Sequence, residues 1–276
     1  MLSYWFLLLS TFKHRIVALG ALSCKKKSKP YLGSQVSPVF STPVRAAILV
    51  FVLLSCALFS GCREGITRQV AATVLSLHDP VVFQGDTRRD FRRVTLQTRL
   101  PCGSRIKTLD DGWLDIGVLS GVLAQVSSNS EITIQELKIT KNGNDTGDAM
   151  RNRVANIQLD RGQITVLLMR RGNAASRLLV HTDHATAVAD SDCLFRVQTD
   201  SARTRMICVL GKINASPNGQ RAIVIGAGYF QQWPSLHTEP LSAADDAAAQ
   251  IDVADSLKLE NQLRGLQADW QKRRPF

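Results

Sequence analysis

Beyond residue 65 apolar and polar positions alternate in short runs, interrupted at intervals of about ten residues by Gly, Asp, Asn or Ser. The runs VAATVLSL, RVTLQT, SRIKTL, WLDIGVL, VLAQVS, EITIQELKI, ANIQLD, ITVLLM, RLLVHT, HATAVA, CLFRVQ, RMICVL, KINAS, RAIVI and YFQQW read as strands. Side chains of a strand point alternately to its two faces, which assigns Ile132, Ile134, Leu137, Phe195, Val197 and Ile223 to a core. Glycine, which tolerates the positive φ of tight turns, closes Asp110–Gly112, Lys141–Gly143, Asp160–Gly162 and Pro217–Gly219. The pattern predicts an all-β domain over residues 70–233. Its architecture is either repetitive and solenoid-like or a sandwich of two sheets.

After Pro234 the period changes. Residues 241–273 are rich in Ala, Asp, Gln and Leu, with Ser242 and acids at the start and Lys272 to Arg274 at the close, which suits both ends of a helix dipole. Leu259, Leu263, Leu266 and Trp270 recur at helical spacing and form one apolar stripe. The stripe either packs on the β domain or pairs with another helix.

The first 61 residues differ again. Residues 46–61, AAILVFVLLSCALFSG, are an uncharged apolar run. A bilayer-spanning helix needs roughly 20 such residues and the centre of an export signal roughly 7 to 15, so this run is nearer to a signal. Leu58, Phe59, Ser60 and Gly61 before Cys62 resemble the lipobox of bacterial lipoproteins, with Phe59 where that motif usually has Leu. The resemblance implies cleavage before Cys62 and attachment of lipid to its thiol. Residues 1–43 hold a second apolar patch, MLSYWFLLLS, and the basic run CKKKSK, so either a long leader precedes the signal or translation starts near Val44. Residues 62–69 read as a linker.

Charge looks different once the leader is set aside. The chain carries a formal +11, but residues 1–61 hold seven of its 34 Lys and Arg and no acid; the 27 remaining face 23 acidic residues, a net of +4. That argues against nucleic acid as a partner. One basic cluster remains, Thr87 to Arg93, in which Arg88, Arg89, Arg92 and Arg93 flank Phe91 as a candidate anion or partner patch. Of six cysteines, Cys24 and Cys56 fall in the leader and Cys62 at its end. A turn centred on Asp200-Ser201 sets Cys193 opposite Cys208, which an oxidising compartment would allow to join as a disulfide or leave as two buried thiols. Cys102 has no evident mate.

Taken in order, LPCGSRIKT, SSNSEITIQEL, IQLDRGQI, LLVHTDHATAVADSDCLFRV and MICVLGKI resemble the FecR domain of bacterial envelope proteins, with Asp192-Cys193 where that family has Gly-Thr. The resemblance implies a β-built, non-enzymatic module that binds a protein or glycan ligand on the periplasmic side of the envelope. In the family's regulators the module signals through a membrane helix to a cytoplasmic anti-sigma segment, which would make residues 46–61 an uncleaved anchor. The basic stretch before that run has no packed-helix pattern, and Arg63 lacks the acid that retains some lipoproteins at the inner membrane, so the expectation is a lipid-anchored protein at the outer membrane. No catalytic residues, cofactor or metal are assigned. His181 and His184 of HTDH are three apart, and on a strand they would face opposite ways. Gly226 to Gly228 and LGKI lack the surroundings of a phosphate loop. An enzyme site assembled from distant strands is the remaining alternative.

Overall fold

The computed structural model describes residues 65–86, 90–141, 150–170, 174–217, 221–235 and 237–273. The leader, Cys62, Arg88, Arg89 and parts of the Lys141–Gly143 and Pro217–Gly219 turns lie outside them. In chain order the strands are β1 (Ile66–Gln69), β2 (Ala72–His78), β3 (Val81–Gln84), β4 (Arg92–Arg93), β5 (Arg99–Leu100), β6 (Arg105–Thr108), β7 (Trp113–Leu119), β8 (Val122–Val126) and β9 (Glu131–Lys141). They continue as β10 (Met150–Leu168), β11 (Ala175–His181), β12 (Ala185–Ala189), β13 (Cys193–Thr199), β14 (Thr204–Leu210), β15 (Lys212–Pro217), β16 (Ile223–Gly226), β17 (Tyr229–Trp233) and β18 (Leu241–Ser242), followed by helix α1 (Ala247–Arg273).

The strands form two open layers. In sheet A the order is β4-β3-β6-β9-β10-β11-β12-β15-β16, with β1 beside the far end of β9; β10 and β11 are the parallel neighbours. In sheet B the order is β5-β2-β7-β8-β10-β13-β14-β17-β18, all antiparallel. The solenoid-or-sandwich choice resolves as two packed sheets whose hairpins are dealt alternately to one layer and the other. One core lies between them, holding Ile132, Ile134, Leu137 and Ile157 from sheet A and Ile164, Val166, Phe195, Val197 and Met206 from sheet B. Ile223 is half-buried at its margin.

Strand β10 belongs to both layers. Up to Arg161 it pairs with β9, and from Gly162 onward with β13, with β8 joining at Ile164. The Asp160–Gly162 segment, expected to be a turn, is instead the corner at which one strand passes between sheets. An irregularity between Leu159 and Arg161 shifts the register. Parity changes accordingly: Ala155, Ile157 and Leu159 face the core before the corner, and Ile164, Val166 and Leu168 after it. Gly162 makes the corner with φ +88°, a conformation that side chains disfavour, and lies against Ser130. Hydrogen bonds fasten the place: Gln163 N donates to Ser130 Oγ at 2.9 Å, Ser127 N to the Gln163 carbonyl at 3.0 Å, and Ser130 N to Thr108 Oγ1 at 2.9 Å.

Two other segments differ from the sequence pattern. The run RVTLQT contributes to strand structure only its first residue, within β4, because Thr95 and Thr98 bond each other and turn the chain. Within the stretch taken for a linker, Ile66–Gln69 pairs with β9.

Sheet B carries buried apolar side chains on both faces, and α1 packs on the outer one. Leu123, Leu167, Leu194, Ile207, Val209 and Phe230 meet Ala249, Leu259 and Leu263, a second cluster on the side away from the main core. Burial on both faces explains why VLAQV, ITVLL and MICVL read as nearly continuous apolar runs. The Leu259/Leu263/Leu266/Trp270 stripe therefore packs on its own body. Ser242 Oγ accepts from Ala244 N at 3.2 Å and caps a short 3-10 turn over Ala243–Asp245. Asp246 Oδ1 then accepts from Ala249 N at 2.7 Å and caps α1.

Candidate functional site

The polar groups that fasten α1 to sheet B are the starting point. Alternation on β7 sends Leu114, Ile116 and Val118 into the core and leaves Trp113, Asp115 and Gly117 on the outer face. Gly117 has no side chain because Trp270 of α1 occupies that space: a Cβ there would stand 2.6 Å from the indole ring. Asp115 is fully buried. Gln125, directly opposite it on β8, donates Nε2 to Asp115 Oδ1 at 2.9 Å, and Gln262 of α1 donates Nε2 to Oδ2 at 2.9 Å. Burial pushes the Asp115 carboxyl up to about 6, against the pull of these two amide donors.

Toward the start of α1 and just before it come two ion pairs. Buried Arg196 of β13 places Nη1 2.9 Å from Asp252 Oδ1 and donates Nε to Thr165 Oγ1 at 3.2 Å. Arg205 of β14 lies over the Phe230 ring at 4.4 Å and reaches Asp246 at 2.7 Å. Backbone donation from Ala249 first, and the Arg205 guanidinium second, hold the Asp246 carboxyl below its ordinary range.

Where α1 leaves the β7–β8 hairpin, a cleft of about 550 Å³ opens. Asp111, Trp113, Gln125, Ser127 and Ser128 line it from the sheet side, and Asp255, Lys258, Leu259 and Gln262 from the helix. The His78 imidazole runs nearly parallel to the Trp113 indole across the β2–β7 pair, at 15°. Lys258 Nζ is 3.2 Å from Asp255 Oδ1. This volume falls in the range of small-molecule sites.

The residues singled out in the sequence lie elsewhere. Arg92 and Arg93 form the edge strand of sheet A; Arg92 is exposed, and Arg93 donates to Asp79 Oδ2 through Nε at 3.0 Å. That bond holds the Asp79 carboxyl down and the guanidinium up. Beside them Lys107 sits over the Phe91 ring at 4.8 Å, and Arg105, Lys107 and Arg161 surround the buried Glu131 carboxylate. His181 and Thr182 open a hairpin turn: His181 Nδ1 is 2.8 Å from Thr186 Oγ1, while the Thr182 hydroxyl bonds Ala185. Burial lowers the basicity of His181.

Cys193 and Cys208 are free thiols, as is Cys102, whose sulfur accepts from Leu137 N at 3.1 Å. Their expected pairing is corrected by the hairpin register, which aligns Thr199 with Thr204 and Val197 with Met206, so that Phe195 stands opposite Cys208. The turn lies one residue later than its sequence centre, because Asp200 Oδ1 accepts from Ala202 N and Arg203 N and wraps the loop around itself. A shift of one at the turn moves each partner by two, so both thiols keep the core face and lose each other. Burial raises both to about 12, with Cys208 adding to the effect on Cys193. Iodoacetamide at pH 8 is therefore expected to leave Cys193 and Cys208 unmodified in the native protein and to label both in urea, as read by peptide mass spectrometry. Labelling of either in the native protein would contradict the packing.

Asp115, Gln125 and Gln262 were not singled out by the sequence. The available signal was a lone acid inside the apolar strand WLDIGVL.

No family model matches the chain, and no curated protein does. Among solved structures, two crystal structures of a candidate anti-sigma factor from Parabacteroides distasonis are similar over 50% of this chain, at 12% identity and TM-scores of 0.36 and 0.35. The aligned stretch spans 57% of the length of those chains.

Proposed function

We propose that this is a non-enzymatic, FecR-like protein of the bacterial envelope, anchored by lipid on Cys62, whose β body faces the periplasm from the outer membrane and binds a ligand. The observation that carries the binding role is the cleft between α1 and the β7–β8 hairpin, two of whose polar side chains, Gln125 and Gln262, are fixed by buried Asp115. Binding is favoured over catalysis because two of the three acids at hand are engaged, Asp115 by two amides and Asp255 by Lys258, and the third, Asp111, has no second acid or imidazole paired with it among the described residues. A general base needs a free carboxylate or imidazole within reach of its proton.

The anchoring role is supported by continuity between the cysteine and the body. Strand β1 begins at Ile66, only four positions beyond Cys62. Such a tether is at most about 14 Å long when extended, so acyl chains on the cysteine would hold the body close to the bilayer surface. Each buried methylene contributes about 0.8 kcal/mol, and two or more chains anchor stably where one does not.

Changing Cys62 to Ala in the full chain tests the anchor. The expected result is accumulation of a precursor that retains residues 1–61 or 44–61, seen as a larger band and by intact mass, and loss of the acyl mass carried by the wild-type protein. An unchanged size with no acyl mass would instead leave residues 46–61 as an uncleaved span and favour the transducer of the FecR-regulator type.

A further inference from the structure

We infer that the cleft between α1 and the β7–β8 hairpin is a saccharide site that takes a neutral or amino-bearing oligosaccharide. This rests on the binding role proposed above and names the class of ligand. Three features of the cleft argue for it.

The first is the set of acceptors. Gln125 and Gln262 each give one Nε2 hydrogen to the Asp115 carboxylate, which accepts only. Each amide is thereby held in one orientation, with Oε1 turned away from Asp115. Together with the Asp111 and Asp255 carboxylates, the cleft presents more acceptors than donors. Its complement is a ligand rich in hydroxyl, amide or ammonium hydrogens.

The second feature is Trp113. A half-buried indole on the cleft wall offers a flat apolar surface to the C–H face of a sugar ring, while hydroxyls at the ring's edge reach the surrounding acceptors. Ser127 and Ser128 add hydroxyls that can donate or accept.

The third is what the cleft disfavours. The one cation that lines it among the described residues, Lys258, is paired with Asp255, and Asp111 adds a further negative charge, so phosphate and other anions are repelled. Peptides are commonly held by a free strand edge or an apolar helix groove. This cleft offers neither, since it lies on the face of paired strands β7 and β8 and is lined mostly by polar side chains.

The test uses the processed protein with 15N-labelled indoles, the Trp113 signal being assigned by its disappearance in Trp113→Phe. Triacetylchitotriose, cellotriose, maltotriose, chitosan trimer, a casein hydrolysate and inorganic phosphate are each titrated to millimolar concentration. The expected result is a saturable shift of the Trp113 signal with at least one trisaccharide. Affinity should weaken about tenfold or more in Gln262→Ala, read well below the lowered melting temperature that follows from taking away the donor of buried Asp115. No shift with any saccharide overturns the inference. If the casein hydrolysate alone shifts Trp113, the saccharide assignment falls while the cleft remains a binding site. If no probe shifts it, the cleft's binding role falls too. Trisaccharide binding that Gln262→Ala leaves unchanged would place the sugar elsewhere and overturns the assignment.

Discussion

Replacing Gly162 with alanine is expected to cost about 2 to 6 kcal/mol, a large share of the roughly 5 to 15 kcal/mol by which a native domain is stable. Two costs combine. A non-glycine residue held at φ +88° bears strain of about 1 to 3 kcal/mol. The added methyl would also meet Ser130 Oγ and lie 2.5 Å from Ser130 Cα, and because backbone cannot swing aside as a flexible side chain can, overpacking adds about 1 to 3 kcal/mol. Relief would require opening the corner, which separates Gln163 N from Ser130 Oγ and disturbs the passage of β10 between the sheets. Urea unfolding should show a much lower midpoint. Gly265→Ala is the control: its site on α1 is exposed with nothing near the new methyl, and it should stabilise by up to about 1 kcal/mol through helix propensity. A Gly162→Ala protein with the wild-type midpoint would mean that this contact does not hold the corner.

The same corner shows how far the sequence could be read. Alternation located β7, β9, β13 and β14 almost to the residue, and Ile132, Ile134, Leu137, Phe195 and Val197 are all fully buried. Leu137 is out of step with Ile132 and Ile134, yet it faces the core because a register shift opposite Asn156 and Ile157 leaves Gln135 unpaired. Alternation is a local signal. It fixes which residues share a face but not which sheet a strand joins, so ANIQLD and ITVLLM looked like two strands around a turn when the parity change marked one strand changing layers. The cysteine pairing failed for a related reason. A hairpin's register is set by how its turn residues bond, and here the Asp200 side chain moved the centre by one position. The cleft was least legible, since it unites β7, β8 and a helix separated by 147 positions at the Asp115–Gln262 contact. Spacing cannot reveal such a contact; a charged residue in an apolar strand could only hint that something comes to meet it.

That acid carries the second large effect, because Asp115→Asn is expected to make the protein more stable above pH 6. Folding raises the carboxyl from an ordinary value of 3.8 to about 6 through burial, so the native state favours the protonated form. The contribution to stability is then fully present below about pH 4 and is lost as pH rises through about 6, amounting to up to about 3 kcal/mol. Asparagine is neutral throughout and keeps an acceptor for one glutamine, while the other can rotate its amide and accept from the new NH2 group. Thermal unfolding between pH 4 and 8 should show little difference at the acid end. Toward neutrality a gap should open in favour of the variant, reaching up to about 6 to 12 °C by pH 8 for a body of this size. A difference that does not change with pH would mean that Asp115 does not titrate in this window. The rotated amide has a further consequence, because only a carboxylate holds both Oε1 atoms turned away from itself. The variant should therefore gain stability and lose trisaccharide affinity, the combination expected where a buried charge is kept for the orientation it imposes on its neighbours.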